Sequence, residues 1–199
     1  MVQLIPSGQT PEIPRSLIRK ARFAPSPSKR DTIRQKSFPN VPLVTHRGKT
    51  VRFYDDLLKN KIVVLSVISA QRAEGCAPLM ARLAEVQKLL LGWFAEDVHF
   101  YSITITPEQD TPETLHAFAD AHGVRGKWWL LTGCPTDVEY LRGVLGWTGD
   151  PGDDEGKRLA EFVRYGNETR AAWGACDATT APQRIAEDVS FVIRRAILL

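Results

Sequence analysis

The stretch that decides the fold is "KIVVLSVISAQRAEGCAPLMARLAEVQKLLLGWF", residues 61–94. Its first nine residues are a nearly continuous apolar run rich in Val and Ile, the pattern of a strand covered on both faces. From residue 77 the period changes. Leu79, Leu83, Val86, Leu90 and Trp93 recur at helical spacing, and Pro78 fits the first turn of a helix over 77–94, where a missing N–H costs nothing. Between strand and helix stand Arg72 and Cys76, so the pattern sets one thiol at a helix start with a cation four residues before it.

Working outward, "SFPNVPLVTHRGKTVRFY" (37–54) alternates apolar and polar positions on either side of "HRGK", which predicts a hairpin with a Gly-bearing turn. "DVHFYSITIT" (97–106) reads as the next strand, and "DTPETLHAFADAHGV" (110–124) as a helix with Asp110 or Thr111 as cap and Gly123 near its end. "KWWLLTG" (127–133) is a short strand, 135–147 a helix, and 159–176 a hairpin turning at Gly166-Asn167. Residues 182–199 close the chain as an amphipathic helix. Trp128, Trp129 and Trp147 read as core and rim packing. Strands alternating with helices, with a hairpin at each end of the run, predict an α/β fold of thioredoxin-like plan: a central mixed sheet flanked by helices. Chemistry in that plan sits at the first strand-to-helix junction, where Cys76 lies.

The 199 residues suffice for one well-packed domain. Residues 1–36 carry eight Lys or Arg against Glu12 and Asp31, a net +6, so the remainder holds −3 of the formal +3. That segment is also rich in proline and poor in aromatics, and reads as a disordered basic tail ahead of a single domain over 37–199. The tail suits contact with an anionic surface; with no aromatic residues interleaved among its charges, no specific nucleic-acid binding is read from it. The sequence shows no stretch of 18 apolar residues and no secretory h-region, so neither anchor nor signal peptide is read and the compartment stays open. Three scattered cysteines, Cys76, Cys134 and Cys176, make neither a disulfide framework nor a C-x-x-C pair.

Several of these stretches, in this order, resemble the SCO/SenC family of thioredoxin-fold copper chaperones. They are 38–67, "FYSITITPEQDTPETLHAFADAHGV" (100–124), "LLTGCPTDVEYLRGVLGW" (130–147), and "VRYGNE" (163–168) followed by Trp173. The resemblance covers roughly 38–197. It implies copper held by two cysteines of a C-x-x-x-C-P motif and one histidine of the late hairpin, a soft donor set suited to Cu(I). It further implies assembly of the cytochrome oxidase copper centre, thiol–disulfide exchange by the same cysteine pair, and a periplasmic or intermembrane setting. On that alignment Cys76 is the second cysteine, Arg72 stands where the first belongs, and Leu159 takes the histidine's place. In a second register the histidine position falls on Asn167 or Glu168, and the acid of the family's D-P-E is Thr106.

Three functions follow. The first is an accessory protein of copper delivery and oxidase assembly, degenerate in its own metal site, acting by binding a copper-handling or respiratory-assembly partner. The second is a single-thiol redox protein using Cys76, its pKa lowered by the helix start and by Arg72; Ala73 stands where a peroxidase of this fold wants a hydroxyl. The third is a copper chaperone with an unconventional ligand set, such as Cys76 with Cys176 or with a residue from a second chain. No catalytic constellation is assigned, and the only metal candidate is Cys76. Arg72 is expected to pair with Glu74, Glu168 or an acidic partner, a local salt link being the favoured reading, and Cys134 and Cys176 are expected to be separately buried. His46, His99, His116 and His122 read as surface or half-buried residues, and the acidic loop 150–157 as solvated.

Overall fold

In a computed structural model of the chain, the described residues are 38–94, 98–147 and 162–194. Seven strands form one mixed sheet: β1 (Pro42–Thr45), β2 (Thr50–Arg52), β3 (Ile62–Ile68), β4 (Val98–Thr104), β5 (Trp128–Gly133), β6 (Phe162–Asn167) and β7 (Ala172–Asp177), in the order β2-β1-β5-β4-β3-β6-β7. The helices are α1 (Ala73–Trp93), α2 (Pro112–Ala121), α3 (Pro135–Val144) and α4 (Pro182–Arg194). This is the thioredoxin-like arrangement expected from the sequence. The basic tail 1–36, the acidic loop 150–157, Leu159 and residues 195–199 lie outside the described residues.

The three central strands β3, β4 and β5 are parallel, and β1 and β6 flank them antiparallel. Right-handed crossovers that step the same way along a sheet leave their helices on one face. Accordingly α1 and α2, joined by α4, cover the face that presents Val64, Ile68, Phe100, Trp128 and Leu130. The other face, with Val63, Leu65, Val67, Tyr101 and Ile103, is covered by α3, by Trp147 and by a π-helical segment, Phe53–Leu58. Neighbouring residues of β3 thus enter opposite cores, which is why its sequence is apolar without alternation.

Three local expectations need correcting. Residues 166–167 do not form the turn of the late hairpin. Gly166 and Asn167 are the last residues of β6, paired with Trp173 and Ala172, and the chain reverses over 168–171. The glycine serves packing instead: a Cβ at Gly166 would lie 2.1 Å from the Trp173 ring. The helix after β3 begins at Ala73, not 77, following a 3₁₀ turn over Ala70–Arg72, so Pro78 lies inside it. Finally, Asp110 is not the cap of α2. Thr111 is, accepting the Thr114 N–H at 3.2 Å, while Asp110 is wholly buried.

His46 also departs from expectation. It is 5% exposed at the end of β1, and its Nδ1 accepts the Leu130 N–H at 3.1 Å. Burial and the neighbouring Arg47 charge lower its pKa from the ordinary 6.5; His116, stacked on it at 5.9 Å, lowers it too, and Asp120 opposes. With the folded pKa depressed, the unfolded chain takes up the proton first as pH falls. Stability is therefore full above the ordinary histidine range and drops as pH falls through it. We expect the urea midpoint to fall between pH 7.5 and 5.5. In His46→Asn, whose side-chain oxygen retains the acceptor but does not titrate, that fall should shrink; an unchanged pH dependence would exclude His46 as its source.

Candidate functional site

The carboxyl ends of β3 and β4 meet the start of α2 at one buried carboxylate. Asp110 Oδ2 accepts the Ala70 N–H at 3.1 Å and the Thr106 hydroxyl at 3.0 Å, and Thr104 donates its hydroxyl to the same oxygen. The Ser69 hydroxyl lies 2.9 Å from that of Thr106, which extends the network back to β3. Thr106, the residue in place of the family acid, is thus a hydroxyl bridge between Ser69 and Asp110. Asp110 Oδ1 is buried with no hydrogen-bond partner among the described residues.

Cys76 is the fourth residue of α1, on the face that carries Leu79, Met80 and Leu83 into the core, and is only 4% exposed. Its sulfur accepts the Ser69 N–H at 3.4 Å. The lowered pKa expected of a helix-start thiol is not found. Burial pushes the Cys76 thiol up, the Asp110 carboxylate adds to the rise, and the Ser69 N–H and Arg72 oppose it without prevailing. Because the helix starts at Ala73, the thiol has turned inward rather than standing free at the N-terminus. Cys76 is a protonated core thiol.

Arg72 immediately precedes α1, is exposed, and makes no ion pair among the described residues, so the local salt link expected for it is not formed there. Glu168 is out of its reach for a topological reason. β6 runs antiparallel to β3 with Ile62 opposite Asn167 and Leu65 opposite Arg164. Asn167 and Glu168 therefore lie at the end of β3 remote from Ser69 and Cys76. Glu168 is buried there, accepting from the Tyr54 hydroxyl at 3.0 Å and the Asn60 N–H at 2.8 Å.

The family model that matches residues 33–146 is that of SCO1/SenC. The chain belongs to the SCO1/SenC family. Solved structures of the same fold include a SCO1/SenC family lipoprotein from Bacillus anthracis (21% identical, covering 79% of this chain and 95% of that one, TM-score 0.67). Yeast Sco1 with copper bound is 13% identical, covering 82% and 94%, with a TM-score of 0.63. BsSco, a member of the Sco family of cytochrome c oxidase assembly proteins with a disulfide switch, is 22% identical, covering 76% and 90%, with a TM-score of 0.61. None of the curated proteins matches the chain.

Among the described residues, no group of three His, Cys, Asp or Glu side chains is placed to hold a metal. Cys76 offers one buried sulfur, and Arg72 offers an exposed cation. All three cysteines are free thiols, so neither Cys134 nor Cys176 is disulfide-bonded to Cys76. Cys176 is half-buried opposite Val163 of β6, its pKa pushed up to about 11 by burial and then by Asp188 and Asp177.

Cys134, expected to be buried, is exposed. It is the N-cap of α3, and its sulfur lies 3.2 Å from the Thr136 hydroxyl. Hydrogen bonds from the Thr136 side chain and backbone draw its pKa below the ordinary thiol value. The helix-start argument made for Cys76 thus applies to Cys134, and "GCP" at 133–135, a cysteine directly before a helix-opening proline, was the available signal. Cys134 lines a recess of about 360 Å³, and Pro107 walls both it and a second recess of about 650 Å³ beside α3 that holds Glu108, Glu139 and Tyr140.

Two outcomes are expected. Iodoacetamide at neutral pH should alkylate Cys134 well ahead of Cys76 in the folded chain, as read by peptide mass spectrometry, and in urea the difference should disappear. Asp110→Ala strands the Ala70 N–H and two hydroxyls and should cost about 2–4 kcal/mol in denaturant unfolding.

Proposed function

We propose that this chain is a SCO1/SenC accessory protein for copper delivery and oxidase copper-centre assembly, without a metal site of its own, which acts by binding a protein partner. The observation that carries the reading is the pairing of a buried, protonated Cys76 with an exposed Arg72 in the motif that holds copper in the family. A metal there would have to displace the proton of a buried thiol whose pKa is raised, and the exposed Arg72 places a like charge nearby. The recesses on either side of Pro107 open at the same end of the sheet and give a partner a shaped surface. Copper is the partner's cargo in this reading, and copper bound to yeast Sco1 and oxidase assembly by the family of BsSco supply its context. Cys76 as a redox thiol is disfavoured by its burial, and Cys76 with Cys176 as a ligand pair by the raised pKa of both.

Titration of the reduced chain with Cu(I) against a chromophoric chelator tests the reading. No competitive uptake is expected from the native chain or from Cys76→Ala. Arg72→Cys combined with Leu159→His should gain one tightly held equivalent. A native chain that holds one equivalent and loses it in Cys76→Ala would overturn the proposal.

A further inference from the structure

The sheet has two edges, and they are built differently. β2 is three residues long and runs straight into the π-helical segment at Phe53. Its Arg52 N–H is already held by the Asp56 carboxylate at 2.7 Å. Short length, a charged side chain and an occupied N–H are protections of an exposed edge. β7 has none of them. It pairs with β6 over six successive residues, from Phe162 opposite Asp177 to Asn167 opposite Ala172, in an unbroken register without a bulge. Its sequence, AWGACD, holds neither proline nor a basic residue. The backbone of residues 172–176 bonds to β6 on one side and to no described residue on the other, so a row of alternate N–H and C=O groups stands open.

The surroundings of this edge leave room for a neighbouring strand. Gly174 has no side chain, and Ala175 is small and exposed. A recess of about 240 Å³ opens beside them, with Tyr165, Ala172, Trp173, Asp188 and Val192 in its lining. An added strand gains main-chain hydrogen bonds and partly apolar surface together. The asymmetry of the two edges selects the occupant. Seating β7 of one copy on β2 of the next is a head-to-tail contact that does not close, and β2 offers three residues with an occupied N–H. Seating β7 on β7 of a second copy is self-complementary. The two strands run antiparallel about a two-fold axis normal to the sheet, and each edge satisfies the other.

We propose that β7 is a self-association edge, along which two copies of this chain pair antiparallel into one continuous sheet. β7 runs parallel to β3, because each is antiparallel to β6. Antiparallel pairing of the two β7 strands therefore sends the two β3 strands in opposite directions. The thiol ends of the copies then lie at opposite ends of the dimer, and each keeps its recesses beside Pro107 open. The inference is independent of the function proposed above.

Sedimentation of the full chain over a range of concentrations tests the proposal. The mass should rise from one chain to two as concentration increases, and amide exchange within residues 172–177 should slow in step. Ala175→Lys alters an exposed side chain and sets two cations close together across the axis, so the midpoint of pairing should move upward about tenfold. Ala175→Glu should do the same, and an equimolar mixture of the two variants should pair again, which misfolded variants would not do. A native chain that stays single throughout, as it would if an extended segment of another protein were the occupant, overturns the proposal. So does a dimer whose slowed amides lie elsewhere, pairing unchanged in both variants, or a mixture that stays single.

Discussion

A carboxylate with no exposed surface holds together the end of the sheet where the family does its chemistry. Asp110 collects the Ala70 N–H and the hydroxyls of Thr104 and Thr106, and so fixes the exits of β3 and β4 relative to the start of α2. A buried charge persists only when its hydrogen bonds offset lost hydration. The 3₁₀ turn after β3 aims its first N–H at Asp110, and Thr106, in the family's acid position, donates its hydroxyl to the same oxygen.

The same turn decides the fates of Arg72 and Cys76. Four residues apart, they would share a helix face if one helix carried both. The helix begins only at Ala73, so Arg72 is left outside it in solvent, and Cys76 enters on the inward face with Leu79 and Met80. Burial then outweighs the Ser69 N–H and the arginine in setting the thiol's protonation. Cys134 meets the opposite circumstances at the start of α3: exposure, a proline after it, and a threonine hydroxyl to accept from. Of two thiols near helix starts, the local sequence alone does not say which is turned to water.

Both ends of the sheet carry charge of both signs. The thiol end carries Glu108, Glu139 and Arg142 around one recess, and the amino end gathers Arg47, Lys49, Lys61, Arg125 and Lys127 together with Asp56 and Asp120. Parallel strands place successive loops at alternate ends, so residues far apart in sequence come to share one electrostatic environment. Partners that meet the two ends meet different chemistry.

The sequence by itself determined the order and type of the elements. The two-sided apolar run of β3, the 3.6-residue period of α1 and the cap at Thr111 are local signals that tertiary packing reinforces. It also determined the family, through several short motifs in a fixed order. What only the tertiary structure decided are matters of depth and of which residues meet. Gly166 looked like a turn residue and proved to be a strand residue under the Trp173 ring. Asp110 looked like a cap and proved to be a buried junction, and His46 gave up solvent for the Leu130 N–H. Glu168 was excluded from the site by the antiparallel register of β6 against β3. Periodicity reports which face of an element is apolar, whereas burial of a polar side chain depends on partners supplied by other strands, and those partners exist only once the sheet has formed.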